Sequence, residues 1–189
     1  RVARCTEPPL VDSSALPACS TPRGHSRGRV PPAPPDFCGG AFGQRSILRS
    51  VDDFAADRSV RFDLFDGLVP DSCVVIGRVG FSQIFRGPFQ SCILGYQIDG
   101  AYERKGLMHE ALKEAIRYMF DVKALHRVQA NHLPENRRSA ALLARLGFVR
   151  EGLAKDYLYI DGAWRDHVRN AITNPAFDAL VGRVPVTLK

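Results

Sequence analysis

The sequence predicts a layered α/β or α+β domain, a mixed sheet with helices on its faces. Three stretches carry that prediction. An apolar run, Ile93 to Ile98, leads through a glycine-containing turn into an amphipathic helix. A second helical stretch, Asn136 to Leu146, follows a short strand and stops at Gly147. Two strand-like runs, Phe148 to Ile160 and Trp164 to Ile172, meet at Asp161-Gly162, a strong hairpin signal.

Residues 1–43 are rich in Pro, Arg, Ser and Gly and show neither the 3.6 nor the 2.0 period, which predicts a poorly ordered segment. From Gln44 to Arg58, Ile47, Leu48, Val51 and Phe54 fit one face of a helix. Val60 to Phe65 alternates as a strand with Val60, Phe62 and Leu64 inward. Gly67 to Ser72 has turn composition. Cys73 to Ile84 is a long strand, in which Gly77 and Gly80 are expected to mark a bend or bulge. Gln90 to Ile98 is the next strand. The helix Lys105 to Asp121 is expected to bury Leu107, Ala111, Leu112, Ala115, Ile116 and Met119. His126 to Asn131 is a strand, and the tail after Asn174-Pro175 is weakly specified.

At 189 residues the chain suits one domain, expected over 44–178 with a C-terminal tail at 179–189. No apolar run approaches the roughly 20 residues of a membrane span. The N-terminal segment lacks the apolar core of a signal peptide. Five scattered cysteines, Cys5, Cys19, Cys38, Cys73 and Cys92, show no metal-ligand spacing and read as reduced thiols of a cytoplasmic protein. The net charge of +6 suits an anionic cofactor or a place near RNA such as a ribosome, and equally a solvated surface. No nucleic-acid-binding motif is present.

The chemistry-bearing stretch is Tyr102-Glu103-Arg104-Lys105-Gly106-Leu107-Met108. A strand, a turn and a helix leave free backbone N–H groups at the helix N-terminus, where donors and dipole both favour phosphate. One glycine is a weak signal by itself. Further on come Asn131-His132-Leu133-Pro134-Glu135-Asn136-Arg137-Arg138-Ser139 and the helix ending at Leu146-Gly147-Phe148. In this order and at this separation, the two segments resemble the acetyl-CoA-binding core of the GCN5-related N-acetyltransferases. The resemblance is closer to the RimJ/RimL group, which acetylates the N-terminal alanine of ribosomal proteins. It covers about residues 45 to 178 and includes Lys155 to Val168.

The resemblance implies a largely antiparallel central sheet flanked by helices. The family's first strand is not found, and a truncated or out-of-frame N-terminal region is expected to rejoin the family pattern near Ala41 to Arg49. The resemblance implies that the strand ending at Ile98 splays from its neighbour and admits the pantetheine arm, with a backbone N–H near Ile98 polarising the thioester. The pyrophosphate would lie on Arg104, Lys105, Gly106, Leu107 and Met108. Asn136 would contact the cofactor, unless it only caps its helix. Ser139 would protonate the leaving thiolate, unless it is a surface hydroxyl. Glu151, Asp156 and His167 are candidates for general base. Tyr157, Tyr159 and Trp164 would wall the acceptor channel, or simply pack in the hairpin. Position 103 holds Glu where the family has Gln or Arg, and position 104 holds Arg where the RimJ/RimL group usually has Gly; Arg104 is expected to offset Glu103. No metal is implied. The implied reaction is acetyl transfer from acetyl-CoA to a protein N-terminus, ribosomal by resemblance. The sequence leaves open a small-amine acetyltransferase, such as one acting on an amino acid or aminoglycoside, and a non-catalytic CoA-binding remnant.

Overall fold

The computed structural model describes residues 49–66 and 75–177. A helical segment, α1, spans 49–55. It is followed by β1 (Val60–Phe65), β2 (Val75–Phe85), β3 (Ser91–Ile98), a 3-10 turn (Gly100–Tyr102), α2 (Leu107–Asp121), β4 (Arg127–His132), α3 (Arg137–Arg145), β5 (Val149–Ile160) and β6 (Ala163–Thr173). The six strands form one sheet in the order β1-β2-β3-β4-β6-β5. Among the described residues, β3 and β4 are the one parallel pair and every other pair is antiparallel.

One face of this sheet is the core. Directly paired residues share a face, so Phe62, Val79 and Tyr96 form one row, and Phe81, Leu94 and Ala130 another. Phe62, Val79, Phe81, Leu94 and Ala130 are buried, and α2 covers them with Leu112 and Met119, both fully buried. The Phe62 ring meets Tyr118 of α2 edge to face at 5.5 Å. The opposite face carries a set of polar contacts. Arg78 donates to Asp63 at 2.7 Å, Gln129 donates to the Ser91 hydroxyl at 3.3 Å, and Arg169 donates to Gln129 at 3.2 Å.

Local chemistry explains several boundaries. β1 matches the alternation of its sequence, with Val60, Phe62 and Leu64 buried. The Asp161-Gly162 turn has φ of 51° and 82°, the left-handed pair that a two-residue hairpin needs. Gly147, at φ 87°, ends α3 as the sequence predicts. α2 starts at Leu107 rather than Lys105, because Arg104 and Gly106 both have positive φ and cannot continue a helix backwards. Leu107 is therefore only partly buried, and Met108 and Phe120 join the core instead.

The expected irregularity in β2 is found at one of its two glycines. Gly77 adjoins a register shift against β1, where Leu64 pairs with Gly77 but Phe65 with Val75; pairing is regular at Gly80, and a second shift lies between Ser82 and Phe85, where Gln83 has φ of 52°. Gly77 has another role. A Cβ at that position would sit 2.9 Å from the Gln97 carbonyl oxygen, so only glycine lets β2 and the end of β3 approach. After β6, Asn174 is buried and its side-chain amide donates to the carbonyls of Phe120 and Leu125; of the tail expected to be weakly specified, residues 178–189 lie outside the described residues.

Cys92 is a free buried thiol, and burial pushes its pKa up to about 12, so it stays protonated and is no nucleophile. Cys5, Cys19, Cys38 and Cys73 lie outside the described residues, as do the predicted segments 1–43 and 179–189, the expected rejoining near Ala41 and the turn from Gly67. No helix among the described residues is long and apolar enough to cross a membrane.

Candidate active site at the fork between two strands

The sheet is forked at its parallel pair, β3 and β4. β3 and β4 are in register from Ser91↔Arg127 to Leu94↔Ala130, and there the pairing stops. β3 continues to Ile98 bonded to β2, and β4 continues to His132 bonded to β6. The pleat decides what faces the gap. The Asp99 N–H donates to the Ile76 carbonyl at 2.8 Å, so it points towards β2. Backbone groups alternate along a strand, so those of Ile98 and Tyr96 point the other way, towards the gap. Their amides form a free edge on which an extended, amide-bearing chain can pair. Ile98 itself packs its side chain against the core, and only its backbone is offered to a ligand.

The gap leads to the N-terminus of α2. Asp99 caps the 3-10 turn by accepting from the Ala101 N–H at 2.8 Å, and the chain then turns through Arg104 (φ 62°) and Gly106 (φ 80°). The first helical bond runs from the Glu110 N–H to the Gly106 carbonyl at 3.1 Å. Leu107, Met108 and His109 therefore have no intrahelical acceptor for their N–H groups. Gly106 is the N-cap and brings no side-chain cap, and a Cβ there would meet nothing within 4 Å. The space beside Gly106 is open, which suits the approach of phosphate oxygens to these donors. Arg104 and Lys105 are exposed beside them, the Lys105 ammonium 4.8 Å above the Tyr102 ring. Met108 offers only its backbone, because its side chain is buried in the core.

Glu103 is neutralised, but not by its neighbour. Arg138, on α3, forms an ion pair with its carboxylate. This corrects the expectation that Arg104 offsets it, and it ties the phosphate turn to the helix on the other side of the fork. Asn136 is the N-cap of α3 and accepts from the Ser139 N–H at 3.1 Å. That fixes the carbonyl end of its amide and leaves the NH₂ end for other partners.

Ser139 faces a group that sequence reasoning missed. The Tyr96 hydroxyl is buried and makes no hydrogen bond of good geometry, with the Ser139 side chain close by. Burial lifts its pKa, and the nearby Ser139 side chain draws it part of the way back. The two hydroxyls thus flank the same space at the mouth of the fork, and the phenol is held neutral. The strand period places Tyr96 on the core face, and a buried phenol needs a partner; that pattern is the signal that finds it.

The remaining predicted residues belong to the β5–β6 hairpin. Glu151 is ion-paired with Arg127, which separates its carboxylate from Ser139's helix. Asp156 sits at a register break between Ala154 and Leu158, with φ of 49°; its N–H donates to Asp166 at 2.9 Å and its own side chain is exposed. Tyr157 turns inward, where its hydroxyl accepts from the Asn131 amide at 3.3 Å and its ring lies 5.5 Å from that of His167. Tyr159 and Trp164 are paired across the hairpin near its tip, beyond the end of β4, with rings 5.6 Å apart and more than half of each exposed. The structure therefore gathers Ile98, Arg104, Lys105, Gly106, Leu107, Met108, Asn136 and Ser139 around the fork, and sets Tyr159 and Trp164 at a distance along a projecting arm. A separate hollow of about 580 Å³, lined by His132, Ala140, Arg150, Asp166 and Asn170 among others, includes none of the predicted site residues.

A family model described as "Acetyltransferase (GNAT) domain" matches residues 29–149. The ribosomal protein uS5-alanine N-acetyltransferase of Escherichia coli (strain K12) is 50% identical over 134 residues, covering 70% of this chain and 68% of that protein. Among solved structures, the ribosomal-protein-S5-alanine acetyltransferase of Vibrio fischeri superposes with a TM-score of 0.72 at 36% identity, over 78% of this chain and 79% of the other. Mycobacterium smegmatis RimJ in complex with CoA-disulfide superposes with a TM-score of 0.65 at 29% identity, over 75% and 68% of the two chains.

Proposed function

The chain belongs to the GNAT acetyltransferase family, and from that premise we propose that it moves an acetyl group from acetyl-CoA to the N-terminal α-amino group of a ribosomal protein that begins with alanine. The observation that carries the acceptor class is the 50% identity to an enzyme acting on the alanine of uS5. The fork supports the donor. Its free strand edge suits the amides of pantetheine, and the uncapped start of α2, flanked by Arg104 and Lys105, suits the pyrophosphate.

In this reading the backbone N–H near Ile98 polarises the thioester carbonyl and holds the oxyanion formed when the amine nitrogen attacks. Collapse of that intermediate forms the amide bond, breaks the carbon–sulfur bond and leaves CoA as a thiolate. Ser139, with the neutral Tyr96 phenol beside it, supplies the proton that the thiolate takes up. Asn136 steadies the cofactor through its free NH₂. The amine needs only a weak base, because an α-amino pKa of about 8 leaves about a tenth of it neutral at pH 7. Of the two carboxylates read from the sequence, Asp156 is the freer to receive its proton, since Arg127 holds Glu151. Tyr157, Tyr159 and Trp164 line the path of the incoming peptide.

Thiol release from acetyl-CoA tests the proposal. The expected result is a kcat/KM at least about 100-fold higher with an alanine-starting ribosomal peptide than with spermidine or free alanine, since a peptide brings binding energy that a small amine lacks. Equal turnover of the small amines would overturn the acceptor. No release with any amine, together with no binding of CoA, would overturn the donor as well.

A further inference from the structure

Asn131 is the first residue of β4 beyond the last β3–β4 pair, Leu94↔Ala130. It is therefore the first side chain on that strand to stand beside the open fork. It pairs with Arg169 and stands two residues from Gln129, so its side chain shares their polar face, opposite to Tyr96 and Ser139. One end of its amide is fixed: Nδ2 donates to the Tyr157 hydroxyl at 3.3 Å. The Tyr157 ring rests against His167, which is buried and bonded through Nδ1 to the Arg165 carbonyl at 3.0 Å. The other end is open. Asn131 Oδ1 is buried and has no hydrogen-bond partner. A buried carbonyl oxygen without a donor is costly, and such an atom is commonly completed by a ligand.

We propose that Asn131 is the residue that receives the acceptor amine: its Oδ1 takes a hydrogen bond from the substrate's α-amino N–H and aims the nitrogen lone pair at the fork. This rests on the reading of the protein as an N-terminal acetyltransferase. The chemistry selects the ligand, because an open carbonyl oxygen asks for a donor and an amine brings two or three. Tyr157 is a positioning residue in this scheme. It hydrogen-bonds the NH₂ end of the amide, leaving the oxygen for the ligand, and His167 packs against Tyr157. The arrangement draws on β4, β5 and β6 and is separate from the groups on the core face that serve the donor.

The test uses the full chain, with CoA and an alanine-starting ribosomal peptide as probes. Calorimetry measures binding of CoA, then binding of the peptide in the presence of CoA; thiol release gives kcat and KM. Asn131→Ala is expected to weaken peptide binding and raise peptide KM at least tenfold while CoA binding stays within twofold of the parent. Asn131→Asp keeps the acceptor oxygen and is expected to restore peptide binding. Tyr157→Phe is expected to cost less than Asn131→Ala, and the double variant no more than Asn131→Ala alone, since Tyr157 acts through Asn131. Unchanged peptide binding in Asn131→Ala would overturn the proposal. So would a loss confined to CoA binding, which would make Oδ1 a partner of the pantetheine amides. Absence of turnover in the parent would count against the reaction class, while the binding measurements still decide the role of Asn131.

Discussion

The two sides of the fork are built from different materials. On the side of α2 and β3 the ligand groups are backbone: the edge amides of Tyr96 and Ile98, and the uncapped N–H groups of Leu107, Met108 and His109. Side chains serve there chiefly by being absent, as at Gly106, or by pairing with one another, as Arg138 does with Glu103. On the side of β5 and β6 the groups are side chains: Asn131, Tyr157 and His167 in one linked row, and Tyr159 and Trp164 along the arm. A backbone-built site tolerates sequence change so long as its turn keeps its shape. A side-chain-built site changes its ligand when its residues change. The first suits a donor common to a family, and the second an acceptor that differs between members.

Substitutions can break this division. The largest effect is expected at the point where the two sides meet. Ser139→Ala removes the hydroxyl beside Tyr96 and should lower kcat about 100-fold, with both substrates still binding. An unaltered kcat would remove Ser139 from the mechanism. Next comes the donor side: Gly106→Val places a β-branched residue at φ 80°. It should weaken CoA binding about 30-fold, the equivalent of about 2 kcal/mol of backbone strain. Peptide binding to the CoA-saturated protein should be little changed. On the acceptor side, Trp164→Ala should raise peptide KM about tenfold and leave CoA binding untouched; a change in CoA affinity would join the arm to the donor site. The smallest effect sharpens the comparison. Glu103→Gln frees Arg138 and removes a negative charge beside the phosphate turn. CoA should then bind about threefold more tightly at low salt, the size expected of an exposed ion pair, and the gain should fade as salt rises. Weaker binding would mean that Arg138 needs Glu103 to hold it in place.

The same division governs what could be read from the sequence. β1, the Asp161-Gly162 turn and the Gly147 stop depend on neighbouring residues, and each stands where local pattern puts it. The phosphate turn was legible because a strand, a glycine and a helix lie within one short stretch. The pairing of Glu103 with Arg138 was not, since the partners are 35 residues apart and meet only when the fork forms. Tyr96 and Asn131 were overlooked for a related reason. Each is an ordinary strand residue until β3 and β4 part, and nothing nearby in the chain says where that happens. The register break that exposes Asp156 and turns Tyr157 inward also depends on β6, whose Asp166 accepts the Asp156 N–H.

A bisubstrate ligand, with CoA sulfur joined through an acetyl bridge to the α-nitrogen of an alanine-starting peptide, tests the two-sided fork most directly. Its affinity for the parent protein, measured by calorimetry beside that of CoA, is predicted to exceed the affinity of CoA by about 100-fold, because one linker lets both sides engage at once. Trp164→Ala is predicted to reduce that gain without changing CoA binding. A bisubstrate ligand that binds no better than CoA would contradict the claim that the fork is one continuous path from the phosphate turn to the acceptor face.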